Sequence, residues 1–353
     1  MGAWEEALAT WGGPEGFDGA VGGFAYDFVC SPEPMRTGIA RVDSETGGLP
    51  RGEVTILAGD AGMGKTALAT QLCYHAAMRG MRPAYISLEM SRLKCQMRMV
   101  ACHARLHPEL LAGIPEQARE VRWSSARPHP DVRQYAERLR QIHDGDADAT
   151  DKALMGLAES YERQDAGMPR DATMVAWADM DRQVRAAGGM LVADSAYTLD
   201  DVMGAIRAAH GGGSQLAVID YVQLVDTGDA EEYDRMAHAS RELRTLAKSL
   251  GIAMVVISAL RKVSAGERSA GPSLDWLKGN NALAYDAGQV LFLLRTGAQD
   301  AQPPTAREAD LYVAKNRNGA SGMTVELSYD APHNLVTSRW LLGGEVDAIG
   351  SWA

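Results

Sequence analysis

No apolar run in the sequence approaches the roughly 18–20 residues a membrane-spanning helix needs, so no membrane association is expected. The opening stretch MGAWEEALATWGG has no basic region followed by an apolar core, so no signal peptide is expected. Glu6 stands where a myristoylation signal needs Ser or Thr. Cysteine is scarce: Cys30, Cys73, Cys95 and Cys102 form no C-x-x-C pair, which excludes a zinc ribbon or a thioredoxin motif. Cys102, His103 and His107 lie close together on a predicted helix, but no matching second half of a metal site exists. Positive charge is also in deficit. The chain carries 35 Lys and Arg against 46 Asp and Glu, a net charge of −11. That argues against a broad basic surface coating duplex DNA, but leaves room for a small basic loop that grips a single strand. A reduced, cytoplasmic setting is expected.

What is present is ordinary for a globular protein: 353 residues, 46% hydrophobic and 23% charged. At about 150 residues per domain this is two domains or one enlarged α/β domain. Wholesale disorder, collagen-like repeats and a coiled-coil rod are excluded.

Along the chain, residues 1–35 are Gly-rich after a short helix candidate, Trp4 to Trp11, and residues 36–52 read as a turn-rich lead-in. EVTILAG (53–59) is an apolar, β-branched run that predicts a buried strand. The spacing of Leu68, Leu72 and Ala76 predicts a helix over 65–79, followed by a strand at 82–89 and a helix at 91–106. Residues 107–188 change character. They hold 11 basic and 15 acidic residues, Pro-bearing breaks and the polar run HDGDADATDK (143–152), and predict a mostly helical, peripheral insertion. Alternation then resumes: strands at 190–194, 216–220, 253–258 and 289–295, and helices at 199–210 and 234–250. Continuous apolar strands fit a parallel sheet covered on both faces, so the fold class is α/β with a doubly wound, mostly parallel sheet flanked by helices. Residues 310–330 and Val336 to Leu342 predict antiparallel hairpins at the sheet edge.

The run GDAGMGKT (59–66) matches G-x-x-x-x-G-K-[ST] and sits between a predicted strand and a predicted helix, the context this phosphate loop requires. Gly59, Gly62 and Gly64 let the backbone curl so that N–H groups of Asp60, Ala61, Met63 and their neighbours through Ala67 face phosphate oxygens. Lys65 brings positive charge to the β and γ phosphates, and the Thr66 hydroxyl is a ligand for Mg²⁺. Asp220, ending the strand LAVID, is the candidate second carboxylate on the Mg²⁺ side, against the plainer reading of a cap or turn aspartate. Glu89 ends the strand in SLEM and is the candidate base that polarises water, against the plainer reading of a solvated strand-end glutamate.

Together these segments resemble the C-terminal motor domain of DnaB-type replicative helicases, a RecA-like P-loop ATPase of the hexameric helicase superfamily 4. The resemblance rests on GDAGMGKT (59–66), SLEM (87–90), VIDYVQL (218–224), RELRTLAKSLGI (241–252), NALAYDAGQVLFLLR (281–295) and AKNRNGASGMTVELSYD (314–330), in order. It implies a RecA-like core at 36–106 and 189–345, an N-terminal extension 1–35, the insertion 107–188 and a tail 346–353. It implies ATP and Mg²⁺ as cofactors, Glu89 as catalytic base, Asp220 as Walker B carboxylate, and Lys315 and Arg317, with Gly319, reaching into a neighbouring subunit's ATP site. It implies single-stranded DNA contact by Lys278, Gly279, Asn280 and Asn281. Residues 261–280, with Arg261, Lys262, Arg268 and Lys278 against Glu267 and Asp275, carry a local balance of +2 that suits phosphate contact. A homohexamer that unwinds or translocates on DNA during replication, with a primase or loader as partner, is the implied assembly.

Several features depart from the family pattern. About 35 residues precede the motor, so the family's primase-binding N-terminal helical domain is not expected. Ala259 stands where the family usually has a glutamine that relays nucleotide state to the DNA loops, and Gly279 stands where an acidic residue is usual. Glu89 and Asp220 lie 131 positions apart because of the insertion. Two alternatives follow: a nucleotide-switched DNA-binding or loader-type ATPase that does not unwind, and a RecA-like recombination ATPase. SLEM and KNRNG argue against the second.

Overall fold

The computed structural model describes residues 33–60, 62–106, 170–229, 231–278, 281–295, 306–331 and 333–339. The expectations for Trp4 to Trp11, Cys30, Ala61, His107, the polar run at 143–152, Gly279, Asn280 and the tail lie outside them. The chain divides into two compact units, Met1–Pro34 and Met35–Ala353, and everything below concerns the second.

Among the described residues nine strands form one sheet, in the order β3-β2-β4-β5-β1-β6-β7-β8-β9. They are β1 (Val54–Gly59), β2 (Ala84–Ser87), β3 (Leu191–Ala193), β4 (Leu216–Asp220), β5 (Ala253–Ala259), β6 (Gln289–Arg295), β7 (Ala306–Asn316), β8 (Thr324–Asp330) and β9 (Leu335–Ser338). Pairings from β3 through β6 are parallel; β6 to β9 are antiparallel. The helices are α1 (Ala40–Thr46), α2 (Lys65–Met78), α3 (Arg92–Leu106), α4 (Arg170–Ala186), α5 (Leu199–Gly211), α6 (Glu232–Leu250), α7 (Ala265–Ala270) and α8 (Asn281–Asp286).

Side-chain alternation divides the core into two layers. Leu57 of β1, Tyr85 of β2, Val218 of β4 and Val255 of β5 face α2, α3 and α4. Their neighbours Ile56, Ile86, Ile219 and Val256 face the opposite side, with α5, α6 and α8. Successive strand residues point to opposite faces, so a sheet covered on both sides needs continuous apolar strands, which is what β1, β4, β5 and β6 are. Helix α2 is buried nearly all round, from Ala67 to Ala77, and its alanines admit close approach to the sheet.

Three segments differ from expectation. The lead-in at 36–52 contains helix α1, which no apolar period announces. It is organised by the Asp43 carboxylate, which accepts from Thr37 N at 2.7 Å and Thr37 Oγ1 at 2.8 Å, and it closes on Gly47 at φ 79°. The strand expected at 82–89 is only Ala84–Ser87, so Glu89 lies in the bend beyond it. The segment 107–188 is not peripheral throughout: α4, its last stretch, packs Val175, Ala176, Met180 and Val184 into the core beside α3. A buried polar chain fixes that contact, with Tyr74 Oη to His103 Nδ1 at 2.8 Å and His103 Nε2 to Asp179 Oδ2 at 2.9 Å. His103 is thus committed to packing helices together. Among the described residues no cluster of three or more His, Cys, Asp or Glu is placed to hold a metal. None of their helices is long and apolar enough to cross a membrane.

Candidate nucleotide site

The C-terminal ends of β1, β2, β4 and β5 open on a cleft of about 680 Å³. In open α/β sheets this edge is where ligands bind, because strand ends and helix N-termini converge there. Gly59 and the turn at 62–64 form one wall, and Lys65 and Thr66 begin α2 beside them. Two glycines are required by geometry. A Cβ on Gly59 would meet the Leu293 carbonyl oxygen at 2.4 Å. Gly64 sits at φ 94° against the Tyr329 ring.

Lys65 Nζ donates to the carbonyls of Gly59 at 2.8 Å and Asp60 at 3.0 Å, folding back over the loop it serves. Burial pushes its pKa down, opposed by the charges of Asp220, Asp60 and Glu89. Asp220 ends β4 fully buried, in register with Ser87 of β2. Burial raises its pKa, while donors from Tyr85, at 2.6 Å, and from Thr66 hold it down. A hydroxyl in contact with a carboxylate is a donor set suited to a hard cation that completes its shell with phosphate oxygens and water. Thr66 and Asp220 therefore fit Mg²⁺. Glu89 is exposed and lines the same cleft, as do Arg98 from α3 and Arg235 from α6. No sequence pattern distinguished those two arginines; only packing brings them there.

The cations expected to contact DNA are not bare. Arg261 pairs with Glu267, Arg268 with Asp60, and Lys278 with Glu232 at 3.4 Å. The +2 balance counted along 261–280 is therefore offset in space by Asp60 and Glu232, which lie outside that stretch. Lys278 nevertheless lines the cleft, so the end of this segment and the phosphate loop share one cavity. Asn281 starts α8.

Lys315 and Arg317 lie elsewhere. Asn316 pairs with Gln289, which pairs with Thr55 at the start side of β1, whereas the phosphate loop follows Gly59 at its end. Four residues of strand, about 13 Å, separate the two levels. A register shift between Val290 and Leu291 turns this end of β7, and Lys315 Nζ donates to the carbonyls of Ala284 at 2.7 Å and Tyr285 at 3.0 Å. Arg317 Nη2 donates to Tyr285 O at 2.8 Å. Gly319 follows in the exposed turn.

The family model of the DnaB-like helicase C terminal domain matches residues 34–127 and 162–336. The replicative DNA helicase DnaB of Leifsonia xyli subsp. xyli is 25% identical over 301 residues, covering 84% of this chain and 54% of that protein. The corresponding protein of Treponema pallidum is 27% identical over 301 residues, with the same coverage of 84% and 54%. The chain thus spans about half the length of the curated relatives it matches. Among solved structures, one ATPase domain superposes with a TM-score of 0.63 at 18% identity, covering 96% of this chain and 99% of that one. A DnaB-like replicative helicase, solved in work on its interactions with primase, superposes at 0.58 and 17%, covering 91% and 67%. At such identity the superpositions show a shared fold, the RecA-like α/β architecture, while the family match covers most of the sequence. The chain belongs to the DnaB-like helicase C-terminal domain family.

Proposed function

We propose that this chain is the motor of a DnaB-type ring helicase, which hydrolyses ATP to move along single-stranded DNA during replication. The observation that carries this reading is the shared cleft: Lys65, Thr66, Glu89 and Asp220 line it together with Lys278, one of the residues assigned to DNA. Nucleotide state and DNA contact then meet in one cavity. Six copies surround the strand in the cytoplasm, with a primase or loader as further partner.

The residues divide the chemistry as follows. Backbone N–H groups of the loop, Gly59 through Ala67, cradle the phosphates, and Lys65 leaves the Gly59 and Asp60 carbonyls to reach the β and γ oxygens. Thr66 and Asp220 hold Mg²⁺, which supplies charge neutralisation when bound. Glu89 orients and polarises the attacking water. Lys315 and Arg317 act on the next subunit's nucleotide, since their own phosphate loop lies at the other edge of the sheet. Arg261, Arg268 and Lys278 contact the DNA backbone by exchanging their carboxylate partners for phosphates, and Gly279 and Asn281 contact it beside them.

The test is ATPase rate with and without oligo-dT. Stimulation by the oligonucleotide is expected of a motor; an unchanged rate would favour the nucleotide-switched reading instead. In the same assay Lys65→Ala should lose nucleotide binding. Glu89→Gln should still bind ATP but hydrolyse it about 10²- to 10⁴-fold more slowly. Hydrolysis by Glu89→Gln at the parental rate would remove Glu89 from the base role.

A further inference from the structure

Beyond Asp220 the chain turns through the 3-10 segment Val222–Leu224, which lays Gln223 across the ends of β4 and β5. All three hydrogen-bonding functions of its amide are engaged. Nε2 donates to Ser258 Oγ at 2.8 Å and to the Lys278 carbonyl at 3.2 Å. Oε1 accepts from the Ala259 amide at 3.3 Å. The Lys278 amide in turn donates to the Ala259 carbonyl at 3.0 Å, and Leu260 bridges Leu277 alongside. One side chain thus joins the loop after Asp220, the end of β5 and the end of the basic segment. Ala259 itself has no polar side-chain atom to make such a link.

We propose that Gln223 is the positioning residue that passes the state of the nucleotide cleft to the segment ending at Lys278. This rests on the nucleotide-site reading above. The geometry gives it direction. The bond to Ser258 is short, while those to Lys278 and Ala259 lie near the long end of the hydrogen-bond range. A shift of a few tenths of an ångström in the loop after Asp220 therefore breaks the two long bonds first. The Lys278 end of the segment is then freed while β5 stays anchored. Nucleotide engagement at Thr66 and Asp220, three residues from Gln223, supplies such a shift.

The test is hydrogen exchange of the whole protein, without DNA, in ADP and in a non-hydrolysable ATP analogue. In the parent, peptides covering 59–66 and peptides covering 258–262 and 276–278 should both differ between the two nucleotides. The distal difference should be about fivefold, the size of one hydrogen bond made or lost. Gln223→Met keeps the length and loses all three bonds; Gln223→Glu keeps the acceptor and loses both donors. Both should keep the response at 59–66 and lose it at 258–262 and 276–278. A distal response of parental size in either variant would overturn the proposal. So would a parent that responds at 59–66 alone, or variants whose exchange rises uniformly with a lowered melting temperature, the mark of a merely structural role. A parent that responds nowhere would instead sink the nucleotide reading, and this inference with it.

Discussion

The Arg268 guanidinium grips both carboxylate oxygens of Asp60, Nη1 to Oδ2 at 2.9 Å and Nη2 to Oδ1 at 2.8 Å. One partner belongs to the phosphate loop and the other to the segment assigned to DNA. The side chains are 43% and 33% exposed, so the pair is worth only about 0.2–1 kcal/mol and is displaceable by a phosphate. Arg268 also stands over the Trp276 ring at 5.8 Å, which keeps it on this surface. Asp60→Asn should therefore tighten oligo-dT binding about 1.5- to 5-fold at low salt, read by fluorescence anisotropy. In an Arg268→Ala background the same change should do nothing. A gain that persists there would place the effect of Asp60 elsewhere.

Tyr85 is buried in β2, and its hydroxyl is committed to Asp220. That donor lowers the Asp220 pKa against the burial that raises it. Tyr85→Phe removes the donor and lets the carboxyl rise further, so the ionised form is lost at higher pH. The acid limb of the ATPase profile should move upward in pH, and stability should fall by about 1–3 kcal/mol. An acid limb that stays in place while stability falls would leave Tyr85 with packing alone.

His75 on α2 is buried, and its Nδ1 lies 3.2 Å from the Thr37 carbonyl. Burial lowers its pKa from 6.5 to about 4, so the folded protein keeps the ring neutral where the unfolded chain protonates it. Stability from this site is complete above the unfolded value and is lost as pH falls through that window, about 3 kcal/mol in all. His75→Asn keeps a donor near Nδ1 and does not titrate. Urea unfolding at pH 7 and pH 4.5 should show a loss about 2–3 kcal/mol larger in the parent than in the variant. Equal losses would show that His75 is protonated in the fold.

Arg317 sits at the sheet edge opposite its own phosphate loop, by the register of Asn316 with Gln289 and of Gln289 with Thr55. A guanidinium delivered in trans is always charged, bridges two phosphate oxygens, and is worth on the order of 10³- to 10⁵-fold in rate in other phosphoryl-transfer systems. Arg317→Ala should bind ATP and hydrolyse it poorly; Lys65→Ala should be inactive. Mixed under conditions that exchange differently tagged subunits, the two should regain ATPase. Such sites pair an intact pocket with an intact neighbouring Arg317. Exchange without recovery would remove Arg317 from the neighbour's site.

The parallel core was legible because strands covered on both faces must be apolar throughout: EVTILAG, LAVID, AMVVIS and QVLFLLR announce themselves without any partner in view. The phosphate loop was legible because backbone curling demands glycine at set positions, and Lys65 and Thr66 follow in fixed register. Helix α1 was not legible, because its order comes from Asp43 and Thr37 rather than from an apolar stripe. Helix α4 was read as part of an insertion because its apolar face finds its partner, α3, only across a long stretch of chain.

Charge and hydrogen bonding belong to the tertiary structure for the same reason. The sequence by itself determined which residue types could bind a phosphate, which strands must be buried, and that residues 261–280 carry a basic excess. Only folding decided that Asp60 neutralises Arg268, that Glu232 meets Lys278, that Arg98 and Arg235 enter the cleft, and that Gln223 spans Ser258, Ala259 and Lys278. A strand's burial is written in its own side chains, whereas a hydrogen bond or an ion pair exists only once two distant segments are held within about 3 Å.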